Sequence, residues 1–265
     1  MAKIAKKKVA TIEARVERVK DWKAEAEKLY NARLESGKAS AFLPFPHVTT
    51  HDTGHKLSGI QSISTSMRLN PVCTARIEKA LCEYDFSCIC LSCYADRLIG
   101  AYGLEDKGLG YNLYLLACTE LTDEQATLTP ISTLYSRVES FGDVANTLHA
   151  ENYIRIIRNH SLQHFGIWSK NAGFWASAFD HMGKPENCTF VYSSPTLDKV
   201  EDVPDCIKAY CDHVFTVCST QEVYERLVIE YGNKCAMCAG IACIAECGCK
   251  CYRKNTPFYI FELKR

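Results

Sequence analysis

Residues 163–194 read QHFGIWSKNAGFWASAFDHMGKPENCTFVYSS. The apolar runs at its two ends, 163–170 and 188–194, have the length and the aromatic and β-branched content of buried strands. The segment between them, GFWASAFDHMG, predicts a helix. A strand, a helix and a second strand of these lengths form a crossover unit whose two strands run parallel.

The same alternation continues over most of the chain. It predicts an α/β fold with a parallel sheet wrapped by helices. Six or seven such units are many for a small open sheet and few for a complete eightfold barrel. A partial or complete (β/α) barrel is therefore favoured over a doubly wound open sheet. The further strands are predicted at 57–65, 111–120, 132–140, 212–219 and 257–264, and the further helices at 93–103, 145–160 and 221–232.

Composition excludes several classes of protein. The 265 residues include 31 Lys and Arg against 31 Asp and Glu, and 47% are hydrophobic, so a disordered chain is excluded. A net charge of zero gives no general attraction to nucleic acid or to a membrane. No apolar run approaches 18 residues, and the basic N-terminus lacks the apolar core of a secretory signal. We expect a cytoplasmic protein without a membrane segment, whose thiols stay reduced.

The N-terminal region, residues 1–40, is predicted as a basic amphipathic helix, with the helix itself over 9–36. Residues 1–36 hold ten Lys and Arg against six Asp and Glu. This helix either packs on its own domain or forms an arm that contacts nucleic acid or another partner. Residues 41–265 are predicted as one cysteine-rich domain. It begins in a loop that contains His47, His51 and His55, whose spacing of four would suit a metal site only on a helix.

Sixteen cysteines are the most unusual feature of the sequence. In the first group Cys90-x2-Cys93 is a chelating pair, because two intervening residues let both sulfurs meet one ion. Cys82 or Cys88 is the candidate for a third ligand. Three thiolates with one open position suit an iron–sulfur cluster, whereas four suit zinc or a fully ligated cluster.

The second group is CAMCAGIACIAECGCKC, residues 235–251, with six cysteines in a turn-rich C-terminal loop. Six thiols exceed one tetrahedral site. We expect a second cluster or a zinc site with Cys235, Cys238 and Cys243 as ligands, and Cys247 as a candidate to complete the shell. In an alternative arrangement the two cysteine groups converge on one centre.

Polar side chains gather where the predicted strands end, the edge at which parallel α/β folds place their sites. From these residues we take Glu139, Asp143 and Lys170 as catalytic candidates, with Lys170 either an amine catalyst or an anion contact. Ser64, Thr65 and Glu120 are the candidates for binding a cofactor.

The stretch GHKLSGIQSISTSMRLNPVC, followed by C-x2-CYA, resembles phage proteins of the gene-product-eighty-eight family. RVESFGDV (137–144), HFGIWSKN (164–171) and KCAMCAGIAC (234–243) add to this resemblance, which covers residues 54–265. The resemblance implies a metal- or cluster-bearing barrel of the kind found in radical S-adenosylmethionine enzymes, in a phage-infected or prophage-bearing bacterium. The C-x3-C-x2-C motif and the Gly-Gly-Glu of those enzymes are absent here.

Two hypotheses follow. The first is an iron–sulfur enzyme with one or two clusters, with S-adenosylmethionine as a candidate cofactor, that acts on a small molecule or a nucleoside at the mouth of the barrel. The second is a zinc-stabilised structural or nucleic-acid-binding protein without catalytic activity. Metal and sulfide content distinguishes the two.

Overall fold

The computed structural model describes residues 19–51, 57–102, 108–238, 250–254 and 257–264. These residues form an eight-stranded sheet with the order β1-β2-β3-β4-β5-β6-β8-β7. β1 is antiparallel to β2, and every other pair is parallel. The strands are β1 (Val48–Thr50), β2 (Gln61–Ile63), β3 (Tyr135–Val138), β4 (His164–Ser169), β5 (Cys188–Ser193), β6 (His213–Cys218), β7 (Cys235–Cys238) and β8 (Tyr259–Leu263).

The mostly parallel sheet and its helices confirm the predicted α/β fold. From β2 to β6 the strand order follows the chain, and the connecting helices pack on the same side of these strands. Within the part of the chain that the structure describes, β1 and β7 each pair with one neighbour only. Closure into a barrel is thus not shown.

Helices cover the outer face of this sheet and the edge where the strands end. The described helices are α1 (Trp22–Glu35), α2 (Pro71–Cys82), α3 (Tyr94–Tyr102), α4 (Gly110–Cys118), α5 (Asp123–Thr127), α6 (Thr147–Asn159), α7 (Ala172–Met182), α8 (Asp205–Lys208) and α9 (Gln221–Tyr231). In the described residues no helix is both long enough and apolar enough to cross a bilayer.

The main core lies between the outer face of the sheet and helices α4, α6 and α7. Alternate residues of the central strands point into it, because successive side chains of a strand face opposite sides. Trp175 of α7 is fully buried there, and its ring lies 6.1 Å from that of Phe190 on β5 and 5.5 Å from that of Phe179. The strand residues in this core include Ile63, Val138, Phe165, Ile167, Phe190 and Val214.

On the opposite face of the sheet, here called the inner face, the short helical turn Lys250–Tyr252 packs against β4 and β5. The Tyr252 ring lies 5.6 Å from Trp168 and 5.4 Å from Tyr135. Thr189 donates a 2.7 Å hydrogen bond to the carbonyl of Cys251, which fixes the turn against β5. Gly166 faces the same cluster, and a Cβ there would lie 2.4 Å from the Trp168 ring and 2.8 Å from that of Tyr252.

The prediction of a strand at 111–120 is wrong, because these residues form α4 and the turn after it. The helix is buried on nearly every side, between α1 and α6, so its sequence is mostly apolar and shows no amphipathic periodicity. Glu120 therefore does not follow a strand. It is exposed and forms an ion pair with Arg155.

The described part of the N-terminal helix packs on the rest of the chain. Ala26 of α1 is fully buried, and the ring of Tyr30 stacks on that of Tyr111 at 5.1 Å. Of the two alternatives, this part of the helix therefore follows the one in which it packs on its own domain. Residues 1–18 lie outside the described residues. The predicted loop that contains His47 and His51 includes β1, which adds an antiparallel edge to the sheet.

Replacement of Gly166 by alanine should destabilise the protein, because two aromatic rings occupy the space that the methyl group needs. We expect a loss of about 1–3 kcal/mol in the free energy of unfolding, measured by urea denaturation. Gly173→Ala is the matched control, since a Cβ at Gly173 meets nothing within 4 Å. Equal stability of the two variants would contradict the packing described for the inner face.

Candidate functional site

The segments that follow β2, β3 and β4 meet at the carboxyl edge of the sheet. They carry Ser64 and Thr65 after β2, Glu139 and Asp143 after β3, and Lys170 after β4. The structure therefore brings five of the six predicted catalytic and cofactor-binding residues to one edge, and leaves Glu120 outside it. Of the five residues at this edge, all except Lys170 are buried.

The carboxylate of Glu139 is the centre of one hydrogen-bond network. It accepts bonds from the backbone N–H of Thr65 at 3.0 Å, from the Thr65 hydroxyl at 2.7 Å and from the Tyr153 hydroxyl at 2.8 Å. Glu139 has a φ of 57°, which is uncommon for a residue other than glycine. The network thus holds a strained backbone and ties the end of β2 to the end of β3 and to α6.

His149 of α6 faces the same carboxylate. Its Nδ1 accepts a bond from the backbone N–H of Ala145 at 3.2 Å, so the proton of the neutral ring lies on Nε2. Nε2 lies 3.4 Å from Glu139 Oε1 and is fully buried. Burial lowers the pKa of His149 to about 3, so the ring is neutral at physiological pH.

Burial raises the pKa of Glu139 to about 7, although the bonds from Thr65 and Tyr153 oppose this change. The same burial, together with the nearby Glu139, raises the pKa of Tyr153 well above its usual range. Glu139 is therefore a buried carboxyl group that exchanges a proton near neutral pH.

Gly142 is required by this network. A Cβ at this position would lie 2.5 Å from Glu139 Oε2, 2.7 Å from the Thr65 hydroxyl and 2.8 Å from the Thr65 carbonyl oxygen. The glycine of RVESFGDV is thus explained by the close approach of its backbone to Glu139 and Thr65.

Asp143 is the centre of a second network. Its carboxylate accepts bonds from the Ser169 hydroxyl at 2.5 Å, from the backbone N–H of Val144 at 2.9 Å and from that of Lys170 at 3.0 Å. Its carbonyl accepts a 2.5 Å bond from the Asn70 side chain. Asp143 therefore joins the end of β4 to the start of α2.

A chain of hydroxyl groups runs beside these networks. His51 Nε2 lies 2.8 Å from the Ser62 hydroxyl, which lies 3.0 Å from that of Ser140, and Ser140 lies 2.7 Å from that of Ser64. The three serines are buried and satisfy one another. Of the residues predicted to bind a cofactor, Ser64 therefore bonds within this chain and Thr65 within the Glu139 network.

The first cysteine group reaches the edge from two segments. Asn70 caps α2 by accepting bonds from the N–H groups of Val72 and Cys73, which places Cys73 in the first helical turn. The loop that contains the other thiols is fixed to the segment after β5 by backbone hydrogen bonds. Cys88 and Thr196 form an isolated antiparallel β-bridge, and the Ile89 N–H donates to the Pro195 carbonyl at 2.9 Å.

Cys90 is the thiol with the most polar surroundings. A hydrogen bond with Cys88 is the main cause that lowers the pKa of Cys90 to about 5, and burial opposes this change. The Lys170 ammonium and the Arg76 guanidinium also lower the pKa of Cys90, and Arg76 is hydrogen-bonded to it. The bond to Cys90 raises the pKa of Cys88, and burial raises the pKa values of Cys73 and Cys93. Of these four thiols Cys90 is thus the one whose thiolate is most favoured.

Arg76 links the thiols to the carboxyl edge. It lies three residues after Cys73 on α2, so both share one face of the helix. Its guanidinium donates to Asn171 Oδ1 at 2.7 Å and to the Lys170 carbonyl at 3.4 Å. Together Arg76, Lys170 and the four thiols Cys73, Cys88, Cys90 and Cys93 form what we term the thiol site.

The donor chemistry of the thiol site suits a soft metal or an iron–sulfur cluster, and the two cations offset the charge of thiolate ligands. The geometry is not that of a complete ligand set. Among residues that the structure describes, no group of three or more His, Cys, Asp or Glu side chains is placed to hold a metal ion.

Other predicted ligands do not join the thiol site. Cys82 is exposed at the far end of α2 from Cys73. Cys235 and Cys238 lie on strand β7, and their odd spacing places them on opposite faces of the sheet. Cys235 packs with α9 and Cys238 with Tyr252, so this pair does not converge. Cys243 and Cys247 lie outside the described residues.

His47 and His51 flank β1, so the extended chain separates them by about 13 Å along the strand and they do not share an ion. His55 lies outside the described residues. Sequence reasoning missed Cys73 and Arg76 as site residues. The signal that would have found them is Asn70-Pro71, a cap residue and a first-turn proline that start a helix.

Comparison with family models, with curated proteins and with solved structures finds no match to this chain. The resemblance to the gene-product-eighty-eight family therefore stays a prediction.

Glu139→Gln should make stability less dependent on pH. The folded protein keeps a proton on Glu139 between the ordinary value of 4.5 and the pKa of about 7, whereas the unfolded chain releases it. The free energy of unfolding therefore falls as the pH rises through this window, by on the order of 3 kcal/mol. Urea denaturation at about pH 5 and about pH 8 measures this fall.

In the Glu139→Gln variant, the part of the pH-dependent fall in unfolding free energy that comes from Glu139 should be absent. Glu78→Gln, which changes an exposed carboxylate on α2, should retain the wild-type profile. If the pH dependence of Glu139→Gln parallels that of the wild type, Glu139 does not titrate in the folded protein as described.

Proposed function

We propose that the chain is an iron–sulfur protein with an enzymatic role, whose cluster binds at the thiol site. Cys90 and Cys93 would hold it, with Cys73 or Cys88 as further ligands. The observation that carries this proposal is the convergence of thiols from α2 and from the loop 88–93 beside two cations, at the edge where parallel α/β folds carry their sites.

Charge supports a centre with several thiolates. Removing thiol protons from Cys73 and Cys93 in a buried site is costly unless a metal takes their place. Arg76 and Lys170 already stabilise negative charge on Cys90. Metal binding would release the remaining protons, and it requires the side chains to rotate from their present directions into a common ligand set.

The strand order is compatible with a partial (β/α) barrel, whose mouth would be the carboxyl edge. A small molecule or nucleoside bound there would lie beside the thiol site. A cluster with an open iron position would supply electron transfer to such a ligand, and S-adenosylmethionine is the cofactor that the resemblance adds. The cytoplasm of a phage-infected or prophage-bearing bacterium is the proposed setting.

The buried carboxylates have positioning roles in this proposal instead of the catalytic roles predicted from the sequence. Asp143 holds the backbone of Lys170, and Glu139 holds the turn that leads to Asp143. Lys170 remains the candidate for contact with the ligand, since its positive charge lowers the pKa of Cys90 and opposes the rise in the pKa of Cys93.

A zinc-stabilised structural protein is the second candidate. Four thiols, Cys73, Cys88, Cys90 and Cys93, equal the number that a closed tetrahedral zinc site needs. Nucleic-acid binding through the N-terminal helix also stays a prediction, and the described part of that helix uses Ala26 and Tyr30 for packing on α4.

Protein purified without oxygen should contain iron and acid-labile sulfide in comparable amounts. Cys90→Ser combined with Cys93→Ser should remove most of both, because these two thiols are the shared ligands of every proposed set. Cys206→Ser is the control, since Cys206 is exposed on the short helix α8 and should leave the metal content unchanged.

Stoichiometric zinc without sulfide, lost in the same double variant, would favour the structural alternative. A metal content that the double variant leaves unchanged would refute a centre at the thiol site.

A further inference from the structure

The segment 139–145 is closed into a loop by one buried histidine. His149 Nδ1 accepts the backbone N–H of Ala145 at 3.2 Å, and Nε2 of the same ring lies 3.4 Å from Glu139 Oε1. The ring thus joins the two ends of the segment. Between those ends lies Asp143, which accepts hydrogen bonds from Asn70, Ser169 and Lys170. A shift of the segment would therefore reach both the start of α2 and the end of β4.

The contact between His149 and Glu139 is incomplete. Among the described residues, Nε2 of His149 has no hydrogen-bond partner although it is fully buried. A separation of 3.4 Å from Glu139 Oε1 exceeds the length of an ordinary N–H···O bond. Because a buried donor without a partner is costly, the ring gains free energy when this oxygen moves closer or carries a full negative charge. The contact therefore favours the ionised carboxylate.

The Tyr153 hydroxyl can bond in two directions. It lies 2.8 Å from Glu139 Oε1 and 3.5 Å from the carbonyl oxygen of Ile63, the last residue of β2. When Glu139 is ionised, the hydroxyl donates to the carboxylate. When Glu139 carries a proton, the carboxyl group can donate to the Tyr153 oxygen while the hydroxyl turns its own proton to Ile63. Each protonation state of Glu139 thus has its own pattern of hydrogen bonds.

Glu139 is the member of this cluster that titrates near neutral pH. Burial lowers the pKa of His149 to about 3 and raises the pKa of Tyr153 well above its usual range, so both stay neutral. Thr65, after β2, and Trp175, on α7, have no ionisable group. Burial, with a smaller contribution from repulsion by Asp143, raises the pKa of Glu139 to about 7.

We infer that Glu139, His149 and Tyr153 form a proton switch that sets the position of the segment 139–145. In the ionised state, His149 and Tyr153 both donate to the carboxylate and hold the segment closed. In the neutral state, the bond to Tyr153 reverses, the attraction for the His149 N–H falls, and the segment relaxes. Asp143 transmits this change to the backbone of Lys170. The inference goes beyond the proposed function, because the switch requires no metal at the thiol site.

NMR titration of the full chain between about pH 5 and about pH 9 tests this inference, with the amide signals of Ala145 and Lys170 as reporters. The infrared band of a protonated carboxyl group, measured in the same samples, reports Glu139. Both amides should titrate with one midpoint, equal to that at which the carboxyl band disappears. In Glu139→Gln this titration and this band should be absent, which separates the switch from the nearby thiol of Cys90.

Tyr153→Phe keeps the ring that lies 4.9 Å from His149 and 6.2 Å from Trp175, and removes the hydroxyl. Because the hydroxyl bond stabilises the ionised form of Glu139, the shared midpoint should rise by about one pH unit or more. Tyr210→Phe is the matched control, since it removes a hydroxyl that bonds to Asp180 at the surface, and it should keep the wild-type midpoint.

A Lys170 amide that still titrates in Glu139→Gln would overturn the inference, because another group would then cause the change. Two further results would also overturn it: amides that do not follow the carboxyl band in the wild type, and an unchanged midpoint in Tyr153→Phe. Thermal unfolding of each variant checks that it is folded. If Glu139→Gln does not fold, the midpoints of Tyr153→Phe and Tyr210→Phe decide.

Discussion

The architecture of the carboxyl edge depends on two buried carboxylates, Glu139 and Asp143. Among the described residues no buried cation is in direct contact with either, and each is stabilised by hydrogen bonds from neighbouring segments. Since those donors come from the ends of β2 and β4 and from α6, the carboxylates join segments far apart in sequence. Loss of either would leave several buried donors without partners, which costs more than the bonds contribute.

This arrangement extends from the sheet to the thiols. Asp143 accepts a bond from Asn70, Asn70 caps α2, and the first turn of α2 carries Cys73 with Arg76 one turn later. Arg76 then returns to the end of β4 through Asn171 and Lys170. The position of one thiol and of both cations therefore follows from the same network that supports the sheet edge. The loop with Cys88, Cys90 and Cys93 is fixed separately, by backbone hydrogen bonds to the segment after β5.

Much of the fold could be predicted because the strands are short, apolar and bounded by turn residues, as 163–170 and 188–194 show. The region 111–120 could not be assigned correctly, since a helix buried on all sides has the composition of a buried strand. The polar residues of the carboxyl edge were found from their position after strands. Their partners were not, because Thr65 and Glu139 lie 74 residues apart and no local pattern connects them. The spacing of Cys90 and Cys93 predicts a ligand pair, and that stays a prediction. The pairing of Cys235 with Cys238 assumed a loop where the chain forms β7.

The function proposed here requires thiols from α2 and from the loop 88–93 to bind one inorganic centre. Anomalous diffraction at the iron absorption edge, from crystals grown without oxygen, tests this most directly because it locates the metal without reference to activity. The account predicts an iron peak within bonding distance of Cys90 and Cys93, with Cys73 or Cys88 as a further ligand. Iron bound only among the C-terminal cysteines, or no iron peak with these thiols unligated, would contradict it.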